Sequence, residues 1–337
     1  MGVIRGWFEE NRVSEPRAPL SRRDFLQASA AGALLAGAAR HASAAEPLPT
    51  RTLGRTGVKV PIVGLGTACV GQARPVSFAE ARRTMEEAID QGITYLDSAR
   101  GYDKAEDVLG EVLAGRREQV FLTTKAGAGN AAGQQRSFDD SLRRLKCDHV
   151  DLLYWHEAGH QDTKRGLEPD GVMDWLQKQK DSGKARFIGV TCHMRGPNVV
   201  PLLESGRCDV LMTVLNFVDR FQYHFDETLL PAARKHNMGI VAMKVFGGER
   251  GSNWNRYNGA NPGPQMDEEL LDRALRFSLS IEGVACAVVG MHTPEQVRQN
   301  AARARAMRPL SADEAAELEQ LGRSLVTQWG PRFGPVS

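Results

Sequence analysis

What most constrains this chain is a rhythm: short strand-like runs alternate with segments of helical spacing along nearly its whole length. The runs fall at 61–67, 95–97, 120–125, 150–156, 186–191, 210–216, 239–244 and 284–289. Strands separated by helices lie parallel. Helices are expected at 78–91, 104–113, 138–145, 172–181, 197–205, 227–236 and 268–280, with 294–303 and 312–321 after the last strand. The Gly/Ala-rich stretch 126–135 reads as a loop. Eight strand–helix units in about 290 residues is the scale of a (β/α)8 TIM barrel. A hairpin within 51–60, turning at its glycines, is expected to plug the bottom of the barrel, and the last segment adds an extra C-terminal helix. A doubly wound sheet stands second, because no G-x-G-x-x-G follows an early strand.

In a parallel α/β protein the chemistry gathers beyond the C-terminal ends of the strands. Three consecutive units each deliver ionisable side chains there. The stretch Gly92-Ile93-Thr94-Tyr95-Leu96-Asp97-Ser98-Ala99-Arg100-Gly101-Tyr102 brings Asp97 and Tyr102 together at one strand end, the next strand ends in Lys125, and the third ends in His156. Singly, each has an ordinary explanation: an Asp at a strand end caps the next helix, and a buried Tyr packs. Together they suit hydride transfer to a carbonyl. Charge grows on the carbonyl oxygen, so a donor must deliver a proton there, and Tyr102 is the candidate acid. A free phenol has a pKa of about 10; Lys125 is expected to lower it, Asp97 to hold Lys125 charged, and His156 to give the oxygen a second hydrogen bond. This ordered set of Asp97, Tyr102, Lys125 and His156 resembles the catalytic tetrad of the aldo-keto reductase family.

The resemblance covers nearly all of the chain after residue 45. The run Arg51-Thr52-Leu53-Gly54-Arg55-Thr56-Gly57 through Gly66-Thr67 is similar to the opening of many aldo-keto reductases. It implies that Gly66 and Thr67, with Asp97, approach the cofactor. Where the family commonly carries Ser-Asn at the fifth strand end, this chain has Thr191-Cys192; Thr keeps a hydroxyl, whereas Cys cannot replace an amide's donors. Asn216 matches the position whose amide reaches the nicotinamide carboxamide. The seventh strand of the family runs into an aromatic residue and Ser-Pro-Leu, but here it reads Met243-Lys244-Val245-Phe246-Gly247. Met243 offers a thioether surface to the nicotinamide ring and Lys244 a charge to pyrophosphate, with Phe246 and Gly247 beside them. Gly290-Met291-His292-Thr293-Pro294-Glu295-Gln296, continuing to Asn300, resembles the adenosine-end motif, a helix N-terminus aimed at phosphate. A capped surface helix accounts for Thr293-Pro294-Glu295 equally well. Gln296 stands where some members place an Arg on the 2′-phosphate; NADP is the expected cofactor, and NAD stays open.

Ser21-Arg22-Arg23-Asp24-Phe25-Leu26, the apolar run 28–39 and Ala42-Ser43-Ala44 resemble a twin-arginine export signal cleaved after Ala44, with Gln27 where such signals often carry Lys. The implied partner is the export machinery and the implied location the periplasm. The chain's net charge of +2 belongs to this leader, whose Arg side chains outnumber its acidic ones by two, so 45–337 is neutral. No basic face for nucleic acid or membrane follows, and no later stretch is apolar enough to span a bilayer. Five scattered cysteines with no C-x-x-C suggest packed thiols rather than a cluster or a disulfide framework. His156-Glu157-Ala158-Gly159-His160 matches H-E-x-x-H, but it ends an apolar strand run instead of lying on a helix, so no metal is assigned. The long segment 249–265 is expected to form a lid, or else a surface excursion. The expected activity is NAD(P)H-dependent reduction of an aldehyde, ketone or sugar carbonyl, or oxidation of an alcohol. Export beyond the supply of reduced nicotinamide leaves two alternatives: a retained cofactor in a redox-sensing or partner-binding module, or a hydride shuttle between two substrates.

Overall fold

The computed structural model describes residues 46–70, 76–127, 129–247 and 266–336. The leader and its cleavage pattern, and the expected lid at 249–265, lie outside the described residues. The strands, in chain order, are β1 (Thr50–Thr52), β2 (Lys59–Pro61), β3 (Val63–Gly66), β4 (Tyr95–Asp97), β5 (Phe121–Ala126), β6 (Val150–Trp155), β7 (Ala185–Cys192), β8 (Val210–Val214), β9 (Gly239–Met243) and β10 (Val284–Gly290). β1 and β2 pair antiparallel as the expected hairpin. The other eight close a barrel in the order β10-β3-β4-β5-β6-β7-β8-β9, every neighbouring pair parallel.

The barrel is sealed by its own side chains. β4, β5, β6, β8 and β9 are buried at every residue, which explains why their sequences do not alternate. Inside, Tyr95 and Tyr154 share a hydroxyl–hydroxyl hydrogen bond of 3.0 Å, so both phenols are satisfied without water. Register fixes the height of the rim. Gly290 lies opposite Gly66, Gly66 opposite Asp97, and Asp97 opposite Thr123, so four strands present these residues at one level.

Local signals set the helices. Ser77 and Ser311 form capping boxes with Glu80 and Glu314 ahead of helices Phe78–Asp90 and Ala312–Trp329. Three expectations are corrected. The helix expected at 138–145 begins at Ala131, because the Asn130 side chain accepts from Gly133 N at 2.8 Å and starts it within a stretch that reads as loop. In place of the helix expected at 227–236 stand Phe225–Thr228 and Leu230–Lys235, broken at Leu229 just before Pro231, with a further turn Arg220–Tyr223 set off from them by His224 at φ +51°. The last helix runs on to Trp329, since Leu318, Gly322 and Trp329 bury beside Phe217 and Phe277. Among the described residues no helix is long and apolar enough to cross a membrane.

That last helix is clamped to the barrel at two points. Arg276 donates to both carboxylate oxygens of Glu314 at 2.8 and 2.6 Å, tying helix Glu268–Ser280 to Ala312–Trp329. At Gly322 the helix backbone meets the Phe217 carbonyl so closely that a Cβ would overlap it. Gly322→Ala should therefore lower stability, by roughly 1–3 kcal/mol, through overpacking at the loop after β8. A thermal melt unchanged from the parent protein would show that the helix relaxes without cost.

Candidate functional site

Asp97 is the last residue of β4 and Lys125 is near the end of β5; their side chains meet at the rim, with Lys125 Nζ 2.6 Å from Asp97 Oδ2. Both are buried. Asp97 Oδ1 also accepts from Thr123 Oγ1 at 2.8 Å, and Lys125 Nζ donates to the Ser98 carbonyl at 2.8 Å. A buried ammonium is tolerable only with its charge matched and its protons placed, and this network does both. Burial pulls the Lys125 pKa down, and the Asp97 charge and hydrogen bond work against that.

Tyr102 folds back over this pair. The turn after β4 is closed by Tyr102 N to Ala99 O at 3.0 Å, and Lys125 Nζ comes to lie 4.9 Å from the Tyr102 ring centroid. His156, directly after β6, meets the same ring edge-on at 5.9 Å and 81°. Its Nε2 is buried with no hydrogen-bond partner among the described residues. The four residues picked from the sequence are thus one cluster. One electrostatic expectation is reversed: the Tyr102 pKa lies well above the ordinary phenol value, because burial and then the Asp97 charge outweigh any help from Lys125. The His156 pKa falls to about 3, first through burial and then through the charges of Lys125 and Lys244, so its imidazole is neutral at physiological pH.

A pocket of about 220 Å³ opens over the cluster, with Asp97 and Tyr102 in its wall. Of the expected cofactor positions, Gly66, Met243, Lys244, Phe246, Gly290 and Gln296 line it. A Cβ at Gly66 would sit 3.0 Å from Val288 Cγ1, so glycine leaves the backbone open there. Several others do different work. Asn216 is spent: its amide donates to Asp219 Oδ2 and the Lys244 carbonyl, and its oxygen accepts from the Val218 and Asp219 amides. It braces the loops after β8 and β9, and no donor is left for a carboxamide. The buried Cys192 thiol turns away to the Met194 carbonyl, with its pKa pushed up to about 12 by burial. Thr191 Oγ1 accepts from Glu157 N at 2.8 Å, and Thr67 Oγ1 bonds the Asp97 carbonyl and Ser98 Oγ at 3.0 Å each.

At the far end Thr293 caps helix Pro294–Arg305 through Gln296 N, and Gln296 Oε1 accepts from His292 N. Asn300 is tied to Gln296 O and Arg303, Met291 is fully buried, and Gly247 holds the turn after β9 at φ +78°. The H-E-x-x-H string is no zinc helix: Glu157 takes φ +51°, and a single 3-10 turn, Ala158–His160, follows. One site residue was passed over in the sequence. His193 lines the pocket, its ring 6.3 Å from that of His156. The signal was available, since His193 follows an apolar strand run just as His156 does.

Similarity searches agree with this geometry. The profile of the Aldo/keto reductase family matches residues 62–323. Among curated proteins, the pyridoxal 4-dehydrogenase of Microbacterium luteolum is 28% identical over 324 residues, spanning 74% of this chain and 91% of its own length. The L-galactose dehydrogenase of Arabidopsis thaliana is 27% identical over 292 residues, spanning 78% and 90%. Among solved structures, the holo form of an aldo-keto reductase from Bacillus halodurans superposes with a TM-score of 0.65 at 23% identity, covering 81% of this chain and 96% of that one. A Klebsiella pneumoniae aldo-keto reductase in complex with NADPH gives 0.62 at 26% identity, covering 81% and 95%. The barrel, its rim and the length of the match leave one assignment: this chain belongs to the aldo/keto reductase family of oxidoreductases.

Proposed function

We propose that this protein reduces a small carbonyl compound with NADPH, using Tyr102 as general acid, and that it does so after export through the twin-arginine route. The observation that carries the chemistry is the packing of Lys125 and His156 against Tyr102, which itself lines the pocket, with the buried Nε2 of His156 lacking a partner among the described residues. Such an atom is expensive to bury, and a substrate oxygen seated beside Tyr102 would satisfy it. The pocket suits a dinucleotide as well. Gly66 and Gly290, side by side in register, expose backbone to it, Met243 supplies an apolar face, and the capped helix start at Pro294 follows. The NADPH complex of the Klebsiella relative supports the choice of cofactor.

Reduced nicotinamide, when bound, supplies the hydride. The rest falls to the protein. His156, neutral, presents Nε2–H to the carbonyl oxygen and so helps fix which face of the carbonyl is attacked. Tyr102, held fully protonated by burial, gives its proton to the oxygen as charge develops there. The tyrosinate left behind lies next to the Lys125 ammonium, which stabilises it only once it forms, and Asp97 keeps that ammonium in place. Asn216, Thr191 and Thr67 act behind these residues by bracing the loops that carry them.

Tyr102→Phe should lose carbonyl reduction by a factor of about 100 or more while NADPH still binds, as read by quenching of protein fluorescence. Turnover equal to that of the parent enzyme would remove Tyr102 as the acid. Reduction needs the protonated phenol and its pKa is raised, so kcat/KM for an uncharged aldehyde should stay level through about pH 9. A fall centred near neutrality would contradict that. Repeated turnover of external NADPH separates this reading from a retained cofactor, which would give a persistent nicotinamide signal and no such consumption. For export, replacing Arg22 and Arg23 by Lys should hold the full-length protein in the cytoplasm on cell fractionation, whereas equal periplasmic yield would dismiss the twin-arginine route.

A further inference from the structure

Two polar side chains in the pocket wall have no task in that mechanism. His193 and Lys244 line it together with Tyr102 and Asp97. Lys244 is the first residue after β9 and takes φ +56°, a left-handed conformation uncommon outside glycine and found disproportionately at functional sites. It is kept there because its carbonyl accepts from Asn216 Nδ2 at 3.0 Å and from Gly247 N at 2.7 Å. The buried amide of Asn216 thus holds this lysine in place.

The turn puts the Lys244 charge among the reacting groups. It acts on both His156 and His193 and helps to keep each imidazole neutral. Burial, then Arg332 and Lys125, lower its own pKa to about 8, against the opposing pull of Glu157 and Asp97. Glu157 stands 3.7 Å from His193 Nδ1 and is partly exposed at the rim. Phe333 backs the His193 ring at 6.4 Å and keeps it at the pocket.

We propose that Lys244 and His193 form a subsite for a carboxylate carried by the substrate, so that the preferred substrates are oxo acids and other carbonyl compounds bearing an acid group. This rests on the carbonyl-reductase reading and specifies its substrate class. An ammonium offers only donors and a neutral imidazole offers one; an ionised carboxylate only accepts, and can serve both. The incoming charge also offsets the desolvation of the ammonium, which a neutral substrate cannot do. The acid group anchors one end of the substrate while Tyr102 and His156 meet the carbonyl at the other.

The test compares two aldehydes of nearly equal shape, 4-carboxybenzaldehyde and its amide 4-carbamoylbenzaldehyde, in NADPH-dependent reduction by the parent enzyme, Lys244→Met and Lys244→Arg. The acid should have the higher kcat/KM in the parent enzyme. The acid-to-amide ratio should fall by roughly 10- to 100-fold in Lys244→Met and recover in large part in Lys244→Arg. A ratio that does not change in Lys244→Met overturns the proposal, as does a change confined to the KM for NADPH, which would place the lysine on the cofactor phosphates. Should neither aldehyde be reduced, the reductase reading fails by itself. The subsite is then read by calorimetry on the NADPH-loaded protein with 4-carboxybenzyl alcohol and 4-carbamoylbenzyl alcohol: tighter binding of the acid, lost in Lys244→Met, sustains it, and equal binding overturns it.

Discussion

The ion pair of Lys125 with Asp97 is the constraint to which the rest of the site answers. Two opposite charges lie buried 2.6 Å apart where β4 and β5 end. Leaving either one alone in that position would cost about 3–5 kcal/mol. The barrel meets the requirement with partners from several elements: Thr123 on the carboxylate, the Ser98 carbonyl on the ammonium, and Thr67 on the backbone of Asp97. A network so fully satisfied stays in one geometry, which suits the role proposed for Lys125, stabilising a tyrosinate formed only during reaction.

Around that fixed pair the histidines are kept neutral. Burial depresses the pKa of His156 and His193, and the lysine charges add to the effect. Neutral rings donate a hydrogen bond without bringing another positive charge beside Lys125 and Lys244. The raised pKa of Tyr102 belongs to the same economy, since a buried phenol stays a donor until a base appears in the pocket. The site therefore combines one matched ion pair, one protonated phenol and two neutral imidazoles, beneath a pocket that Lys244 and Gln296 line together with apolar residues such as Met212, Met243 and Val288.

The loops after β8 and β9 make up the other half of the rim, and they are braced from the outside. Asn216 fastens Lys244 to Asp219, and Asp219 holds the buried Arg332. Tyr223 accepts from Phe333 N at 2.9 Å and donates to the Gly334 carbonyl at 3.1 Å, so the end of the described chain is tied to the mouth of the barrel beside His193. Residues that resemble cofactor contacts in the sequence serve here as struts. An amide can bind a ligand or brace a loop with the same four hydrogen-bonding positions, and sequence does not distinguish the two uses.

The sequence by itself determined the barrel and which ionisable residues gather at its rim. Strand–helix alternation makes the sheet parallel, so Asp97, Lys125 and His156, each at a strand end, had to reach one rim. The tertiary structure decided what depends on neighbours distant in the chain. It set the direction of the Tyr102 pKa through burial, and it spent the hydrogen bonds of Asn216 and Cys192 on the protein itself. It broke the segment 220–235 into short turns at His224, and it placed the Lys244 charge beside two imidazoles from β6 and β7. Dielectric environment and hydrogen-bond competition are properties of packed groups, and they exist only once the barrel has closed.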